Sequence, residues 1–268
     1  MKNKLIVLLC LIIASCAHKE VDGPIIVLHE DPVILPTPAP IESVKWKIPP
    51  VNAKFQIMDE DDGDYVKQLK PDTKVVNVEL FGTDLKRNQA LKAKGVYLVC
   101  YYSLSKEKDR PDTDQYPKDA VGAKMSGWDE LWPILEKESL HLFMDKRDQL
   151  AKDIGCDAVE IDNMDNNNKG AKSVVMNSLI RRAKSAHEKG LGLIAKNTGE
   201  YSKEISIYSD GVFVEECRAK KECDNYLPWQ GKFAGFVEYS KSDAKCLPWG
   251  QVQYHAHGYF TADYGACK

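Results

Sequence analysis

The stretch GCDAVEIDNMDNNNKG, from Gly155 to Gly170, contains a short apolar segment that ends in two acids. Residues 157–162 have the length and composition of a buried strand. Because side chains alternate along a strand, Glu160 and Asp162 share one face, and the valine and isoleucine between and before them share the other. A polar, asparagine-rich segment follows at once. The stretch therefore predicts a buried strand whose carboxyl end carries two carboxylates.

The rest of the domain repeats this unit, because apolar segments of strand length alternate with helical patterns from about residue 51 onward. The strand segments are Phe55–Met58, Lys74–Leu80, Val96–Tyr102, Asp157–Asp162, Leu191–Asn197, Gly211–Glu216, Phe233–Tyr239 and, weakly, Val252–Tyr259. The helical patterns are Asp84–Lys94, Ala171–Lys189, and two helices within Trp128–Lys152 that separate near Ser139. Repeated strand–helix units predict an α/β fold with a parallel sheet and right-handed crossovers. The number of strands predicts a (β/α)8 TIM barrel, and an open doubly wound sheet is the alternative.

The N-terminus has the pattern of an export signal. Lys2 and Lys4 precede an apolar segment, Leu5–Ile13, which is shorter than the roughly 20 apolar residues of a membrane-spanning helix. The segment ends in Ile-Ala-Ser-Cys16, which resembles a bacterial lipobox, and an ordinary signal peptide is the alternative. We expect residues 1–15 to be a lipoprotein signal peptide and Cys16 to carry the lipid. Ala17 in place of aspartate favours the outer membrane of a Gram-negative cell.

Proline-rich residues 16–43 are expected to form an extended tether. Residues 44–268 would then form the barrel domain, anchored to a membrane through its lipid and located in the cell envelope. We expect a monomer. With 37 basic and 40 acidic residues and a net charge of −3, the chain has no basic surface for nucleic acid. It also has neither a glycine-rich phosphate loop nor a serine nucleophile elbow.

Export also bears on the cysteines, because an oxidising compartment permits disulfides. Cys217 and Cys223 are close in sequence and form a plausible pair, and Cys246 and Cys267 are the next candidates. Cys100 and Cys156 lie in or beside apolar strands, so we interpret them as free core thiols. Spacing alone leaves the connectivity open. A zinc site is disfavoured because no second close pair of cysteines follows the first.

Acids, or an amide beside a lysine, recur where the predicted strands end. In a barrel of this type, catalytic groups lie at the carboxyl ends of the strands. Such a cluster suits acid/base chemistry on a glycoside, a divalent metal site or the binding of a cation, and like charges held close together raise one pKa. Asp162 and Glu215 are both expected to point into one mouth. The full set of strand-end residues is Glu79, Glu160, Asp162, Lys196, Asn197, Glu215, Glu216 and Glu238.

Six ordered stretches resemble glycoside hydrolase family 114, the endo-α-1,4-polygalactosaminidases, which have a TIM-barrel fold. They are NVELFGTD (Asn77–Asp84), CYYSLSKEKDRPD (Cys100–Asp112), GCDAVEIDNMD (Gly155–Asp165), AKN (Ala195–Asn197), VEECRAKKEC (Val214–Cys223) and VEYS (Val237–Ser240). The most specific are GCDAVEIDNMD at the fourth predicted strand and VEECRAKKEC at the sixth. This sequence departs from the family pattern at Phe55–Gln56, at Leu104–Ser105 and at Asn166–Asn167, positions that affect the substrate-binding edge.

The resemblance implies a glycosidase that acts on a polysaccharide without a cofactor or a metal. Its two catalytic carboxylates fall on Asp162 and Glu215, and its disulfide falls on Cys217 and Cys223. We favour Glu215 as nucleophile or base and Asp162 as general acid. A galactosamine polymer is cationic, which suits an acid-rich mouth. Substrate-binding residues would be Glu79, Glu160, Asn163, Lys196, Asn197 and Glu238, and candidates for stacking on sugars are Trp128, Trp132, Trp229, Trp249, Tyr226 and Tyr239.

Two other functions fit parts of the sequence. In YHAH (Tyr254–His257), two histidines two residues apart share one face of a strand and could bind a metal, which would suit a metal-dependent hydrolase or phosphodiesterase. A lipid-anchored barrel could also bind glycan at the cell surface without cleaving it. Retention of both Asp162 and Glu215 argues against that second function, because a binding module does not need both carboxylates.

Overall fold

Eight parallel strands form the central sheet of the computed structural model, which describes residues 45–58, 65–165, 171–245, 247–255 and 262–263. The sheet order is β1-β2-β3-β7-β8-β9-β10-β11, with β12 antiparallel at the outer side of β11. The Gln253 side chain on β11 donates to the Phe55 carbonyl on β1 at 3.3 Å, so the two ends of the parallel sheet meet. The fold is therefore a nearly closed TIM-barrel-like α/β barrel, as the sequence predicted.

The strands of the described chain, in order, are β1 Phe55–Met58, β2 Val75–Glu79, β3 Tyr97–Ser103, β4 Lys106–Glu107, β5 Val121–Lys124, β6 Glu130–Pro133, β7 Ala158–Asp162, β8 Gly192–Lys196, β9 Gly211–Glu215, β10 Phe233–Glu238, β11 Gln251–His255 and β12 Ala262–Asp263. The α-helices are α1 Tyr65–Gln68, α2 Leu85–Lys92, α3 Glu138–Asp153, α4 Lys172–Glu188 and α5 Ser202–Tyr208. Short 3-10 helices are Thr113–Gln115, Lys118–Ala120, Gly199–Tyr201 and Cys223–Trp229.

Two helix ends follow the signals in the sequence. Asp84 caps α2, because its carboxylate accepts the Arg87 backbone N–H at 2.8 Å. Helix α4 ends before Gly190, which has a φ of +79°, and the following Leu191 N–H donates to the Ala186 carbonyl at 3.0 Å. The cap at Asp84 thus starts α2 after β2, and the end of α4 returns the chain to the start of β8.

The alternation of side chains along the strands produces two cores. Inside the barrel, Phe55, Phe213 and Phe233 pack edge to face with centroids 5.2 to 6.2 Å apart. A Cβ at Gly235 would lie 2.7 Å from the Phe213 ring, so only glycine fits there. On the other face, Val159 and Ile161 pack with the helices. This interior core supports the floor of the cavity above it.

The segment before α3 differs from the prediction of two helices within 128–152. Only α3 is helical, and residues 130–133 form β6, the middle strand of a three-stranded antiparallel sheet with order β4-β6-β5. Gly127 adopts a φ of +86° and the Met125 N–H donates to the Glu130 carbonyl at 2.8 Å, so the chain makes a hairpin where a helix was expected. Pro133 also lacks the N–H that a helix interior needs.

The interpretation of Cys100 and Cys156 as free thiols is wrong, because they form a disulfide with Cα atoms 6.0 Å apart. Cys100 lies on β3 and Cys156 just before β7, and these strands are neighbours in the sheet. Cys217 and Cys223 form the second described disulfide, which confirms that prediction. Cys246 and Cys267 lie outside the described residues, as do Cys16 and the predicted signal and tether.

Candidate active site

A cavity of about 350 Å³ opens at the carboxyl ends of the barrel strands. Besides Ile57, Asn77, Val237 and three aromatic residues, it is lined by seven acidic side chains and two basic ones. The acids are Glu79, Glu107, Glu130, Glu160, Asp162, Glu215 and Glu216, and the bases are Arg110 and Lys196. The strand ends thus bring together most of the acids that the sequence placed there, and the cavity has a strong excess of negative charge.

Lys196, at the end of β8, is the centre of this charge cluster. Its Nζ lies 3.4 Å from Glu160 Oε1, 3.8 Å from Asp162 Oδ2 and 3.5 Å from Glu215 Oε2. Burial alone would lower the pKa of Lys196, but the three carboxylates raise it well above its usual value. Lys196 is therefore a fixed cation around which three acids converge.

Asp162 ends β7 and is held by two donors. The Tyr101 hydroxyl on β3 donates to Asp162 Oδ2 at 3.1 Å, and the Asn163 backbone N–H donates to Oδ1 at 2.7 Å. Burial and the neighbouring Asp162 raise the pKa of Tyr101 well above its usual value, so this phenol keeps its proton. The carboxylate is about one-fifth exposed and faces the cavity.

Glu215 ends β9 and accepts hydrogen bonds at both oxygens. The Tyr239 hydroxyl donates to Oε1 at 2.6 Å, and Asn197 Nδ2 donates to Oε2 at 2.9 Å. Asn197 also accepts the Glu215 backbone N–H at 2.8 Å, which fixes the two residues to each other. Burial alone would raise the pKa of Glu215, but the Lys196 ammonium and these donors lower it to about 2.

Asp162 and Glu215 are close enough to act on one bond. Because Lys196 Nζ lies 3.8 Å from Asp162 Oδ2 and 3.5 Å from Glu215 Oε2, the two carboxylate oxygens are separated by no more than the sum of these distances, about 7.3 Å. The two carboxylate oxygens are therefore no farther apart than the roughly 9.5 Å that separates the most distant carboxyl pairs of glycosidases.

A second group of charges lines the wall formed by β2 and β4. Arg110 lies 3.3 Å from Glu79 Oε1, and its Nε lies 2.9 Å from Glu107 Oε1. The backbone N–H groups of Phe81 and Gly82 donate to Glu79 Oε2 at 2.7 and 2.8 Å. Burial, opposed by Arg110, raises the pKa of both Glu79 and Glu107.

Three predicted site residues, Asn163, Asn197 and Glu238, lie outside the cavity lining, and of these Asn197 bonds directly to Glu215. Val237 pairs with Glu215 in register and faces the cavity, so the adjacent Glu238 points the other way, where its Oε1 accepts the Arg218 N–H at 2.8 Å. Asn163 donates to the Ser103 hydroxyl at 2.8 Å and so fixes the loop after β7.

Of the six aromatic residues predicted to stack on sugars, two line the cavity and four do not. Trp128 and Tyr239 line the cavity and are 59% and 40% exposed. Trp229 and Tyr226 are buried in the core, and Trp249 packs edge-on against Phe236 with centroids 5.0 Å apart. The remaining candidate, Trp132, lies on β6 outside the cavity lining.

Among the described residues, one cluster has metal-ligand geometry: Cys217, Cys223 and Glu238. Its two sulfurs form a disulfide, so they are not thiolate ligands. In the YHAH segment, Tyr254 and His255 are the last residues of β11. The side chains of these two residues, and all of Ala256 and His257, lie outside the described part of the chain.

A sequence model of glycoside hydrolase family GH114 matches residues 36–262. The chain belongs to this family. Among curated proteins, none matches it. Solved structures of similar fold include Aspergillus fumigatus Ega3 in complex with galactosamine, with 23% identity, a TM-score of 0.74, and coverage of 82% of this chain and 98% of that chain. The glycoside hydrolase domain of PelA from Pseudomonas aeruginosa has 16% identity, a TM-score of 0.54, and coverage of 72% and 87%. At these identities the likeness shows a shared fold.

Several cavity residues of this GH114 chain were not predicted from the sequence. Asn77 on β2 donates a short hydrogen bond to Glu160, and Tyr101 holds Asp162. Glu107 and Arg110 reach the cavity from the segment after β3. Asn77 could have been predicted, because it is a polar residue inside the apolar strand VVNVE. It lies two residues before Glu79 and therefore shares the strand face of Glu79.

Proposed function

We propose that this GH114 protein hydrolyses an amino-sugar polysaccharide of the α-1,4-galactosamine type, with Asp162 and Glu215 as its carboxylate pair. The observation that carries the proposal is the convergence of these two side chains, from β7 and β9, on one lysine in the barrel mouth. Glycoside cleavage requires two carboxyl groups on either side of the scissile bond, and both face the same cavity here.

The electrostatics of the resting site support distinct roles for the two acids. Glu215, with its pKa lowered to about 2, is ionised at any ordinary pH and suits attack on the anomeric carbon or activation of water. Asp162 would donate its proton to the glycosidic oxygen as the bond from that oxygen to the anomeric carbon breaks. In the reverse assignment, Glu215 would be the proton donor and Asp162 would attack the sugar. A bound sugar would then have to displace Lys196 and Tyr239 from Glu215 before Glu215 could hold a proton. The two assignments differ in which variant should use azide in place of its missing nucleophile.

The charge of the cavity supports a cationic substrate. Seven acidic side chains against two basic ones leave an excess of negative charge, and the walls of the barrel concentrate that field. A galactosamine polymer carries ammonium groups that this field would attract. The galactosamine bound to Aspergillus fumigatus Ega3 is the amino sugar that guides the choice of polymer.

The test is hydrolysis of partly deacetylated galactosaminogalactan by the purified protein, beside Asp162→Asn and Glu215→Gln. We expect the wild type to release oligomers and each variant to lose at least about a hundredfold in kcat while it still binds polymer. If Glu215 attacks the sugar, azide should take its place in Glu215→Ala and release a glycosyl azide of inverted anomeric configuration, whereas in Asp162→Ala azide should displace Glu215 from the glycosyl-enzyme and give retained configuration. Binding without release by the wild type would instead support a non-catalytic glycan receptor.

We also propose that the chain is exported as a lipoprotein and acts as a monomer in the cell envelope, attached to the outer membrane through Cys16. The apolar segment 5–13 and the Ile-Ala-Ser-Cys16 sequence support this proposal. Within the described residues, no helix has the length and apolar character needed to cross a membrane. Membrane fractionation of the wild type and Cys16→Ser tests it, because the variant should leave the membrane pellet. Sedimentation of the released protein gives the oligomeric state.

A further inference from the structure

The hairpin between β5 and β6 extends over the cavity and has a fixed tip. The Met125 N–H donates to the Glu130 carbonyl at 2.8 Å and closes a four-residue turn, in which Gly127 adopts a φ of +86°. Met125 is buried, which anchors the hairpin at the base of the turn. The tip residues are therefore held in place before any ligand arrives.

Two side chains of this hairpin face the cavity, and the residue between them does not. Trp128 and Glu130 line the cavity, whereas Asp129 pairs with Lys108 and Lys124 at 3.4 Å each on the outer side. The Ser105 hydroxyl donates a short hydrogen bond to Glu130 and orients its carboxylate. An aromatic face and an oriented carboxylate thus lie two residues apart on one wall.

Trp128 is the exception among the tryptophans of this chain. All five lie in the described residues, and Trp128 alone is exposed, at 59% of its surface. Covering a large, water-exposed apolar ring with a ligand lowers the free energy of the complex, because apolar surface is removed from water. The apolar face of a pyranose ring is a suitable cover.

From these observations we infer that Trp128 and Glu130 form an amino-sugar subsite on the hairpin wall of the cavity, beside the carboxylate pair. The indole would stack on the apolar face of a sugar, and the Glu130 carboxylate would bind its ammonium group. This inference rests on the proposed function and adds to it the residues that recognise a further sugar of the chain.

The topology gives this subsite its direction. The hairpin follows β3, the third parallel strand, and Tyr239 follows β10, the seventh. In a ring of eight strands these positions are opposite, and β7 and β9, which carry Asp162 and Glu215, lie between them on one side. Because the Tyr239 hydroxyl lies 2.6 Å from Glu215 Oε1, a polymer that runs from Trp128 towards Tyr239 reaches the carboxylate pair, and the subsite would bind a sugar on one side of the bond to be cleaved.

The experiment uses α-1,4-linked galactosamine oligomers of increasing length and their N-acetylated counterparts. Trp128→Ala should raise KM about tenfold for long oligomers, with kcat unchanged and no effect on oligomers too short to reach the hairpin. Trp128→Tyr should recover most of this loss. Glu130→Gln should raise KM about threefold to fivefold for galactosamine oligomers and leave the N-acetylated ones unaffected. The matched control is Asp129→Asn, whose side chain is on the other face of the same hairpin and should change nothing.

Calorimetric binding to the same proteins separates this inference from the proposed function. Weaker binding of long oligomers by Trp128→Ala and Glu130→Gln than by Asp129→Asn supports the subsite even if the wild type does not cleave them. Normal cleavage by the wild type, with identical dissociation constants for all three variants, overturns the subsite and leaves the proposed function standing. A wild type that binds no oligomer of any length overturns both.

Discussion

The Lys196 ammonium lies 3.5 Å from Oε2 of Glu215, and both side chains are largely buried where β8 and β9 end. Without this cation, burial would raise the pKa of Glu215, so the low pKa of the carboxyl depends on its neighbour on the next strand. The same ammonium contacts Glu160 and Asp162 and limits the repulsion among the three acids. Lys196 therefore keeps Glu215 ionised.

Lys196→Met should move the acid limb of the kcat/KM profile to higher pH and lower the rate at neutral pH by about a hundredfold or more. The pKa of Glu215 rises in this variant because burial and the other acids are no longer opposed. The measurement is the pH dependence of kcat/KM. Lys220→Met is the control, since Lys220 pairs at 3.4 Å with the partly exposed Glu216 and should have little effect. An acid limb that stays in place would show that Lys196 does not control Glu215.

Tyr239→Phe should lower kcat/KM by about tenfold and move the acid limb to higher pH, by less than Lys196→Met does. The variant keeps the ring but loses the hydroxyl that donates to Glu215 at 2.6 Å, so the ionised carboxylate becomes less stable. The pH–rate profile again gives the answer. A loss of rate with no shift of the profile would mean that Tyr239 contacts substrate and leaves the pKa of Glu215 alone.

Tyr101→Phe provides the matching experiment on the other carboxylate. Its hydroxyl donates to Asp162 Oδ2 at 3.1 Å and holds that carboxyl in position. The variant keeps the ring but loses this donor, so kcat should fall by about tenfold while KM changes little. A rise in KM with kcat unchanged would show that the hydroxyl contacts substrate and does not position Asp162.

Glu215 also makes the stability of the fold depend on pH. Its folded-state pKa of about 2 lies below the ordinary value of 4.5 for a glutamate, so the folded state binds fewer protons than the unfolded state between these values. The stabilisation is fully present above about pH 5 and is lost as the pH falls through 4.5 towards 2. Urea unfolding of wild type and Glu215→Gln should therefore differ more at pH 6 than at pH 3, by about 2 kcal/mol. Equal differences at the two pH values would contradict the low pKa.

The barrel and the placement of Asp162 and Glu215 at its mouth could be predicted because both depend on local patterns. Apolar strand segments that end in acids, such as the one before Asp162, mark the strand and the end that carries chemistry in the same few residues. Alternation along β7 and β9 correctly placed Glu160, Asp162 and Glu215 on the cavity side. The same rule, applied to β10, would have placed Glu238 on the outer face once Val237 was aligned with Glu215.

The features that were missed depend on contacts between distant segments. The helical pattern over residues 128–137 gave no sign of pairing with β4 and β5, so neither the small sheet nor the position of Trp128 over the cavity was evident. Arg110 and Glu107 enter the site because that sheet returns the chain to the mouth of the barrel. Cys100 and Cys156 are 56 residues apart, and only the adjacency of β3 and β7 brings them together.

The two disulfides should contribute unequally to stability, because they close loops of different length. The Cys100–Cys156 bond spans 56 residues and the Cys217–Cys223 bond spans 6. On loop-entropy grounds, the double variant Cys100→Ala/Cys156→Ala should lose about 4 kcal/mol of unfolding free energy and Cys217→Ala/Cys223→Ala about 2 kcal/mol. Urea unfolding of the oxidised proteins measures both. Equal losses would contradict the dependence of the stabilisation on loop length. Free thiols at residues 100 and 156 of the wild type would show that the longer crosslink does not form.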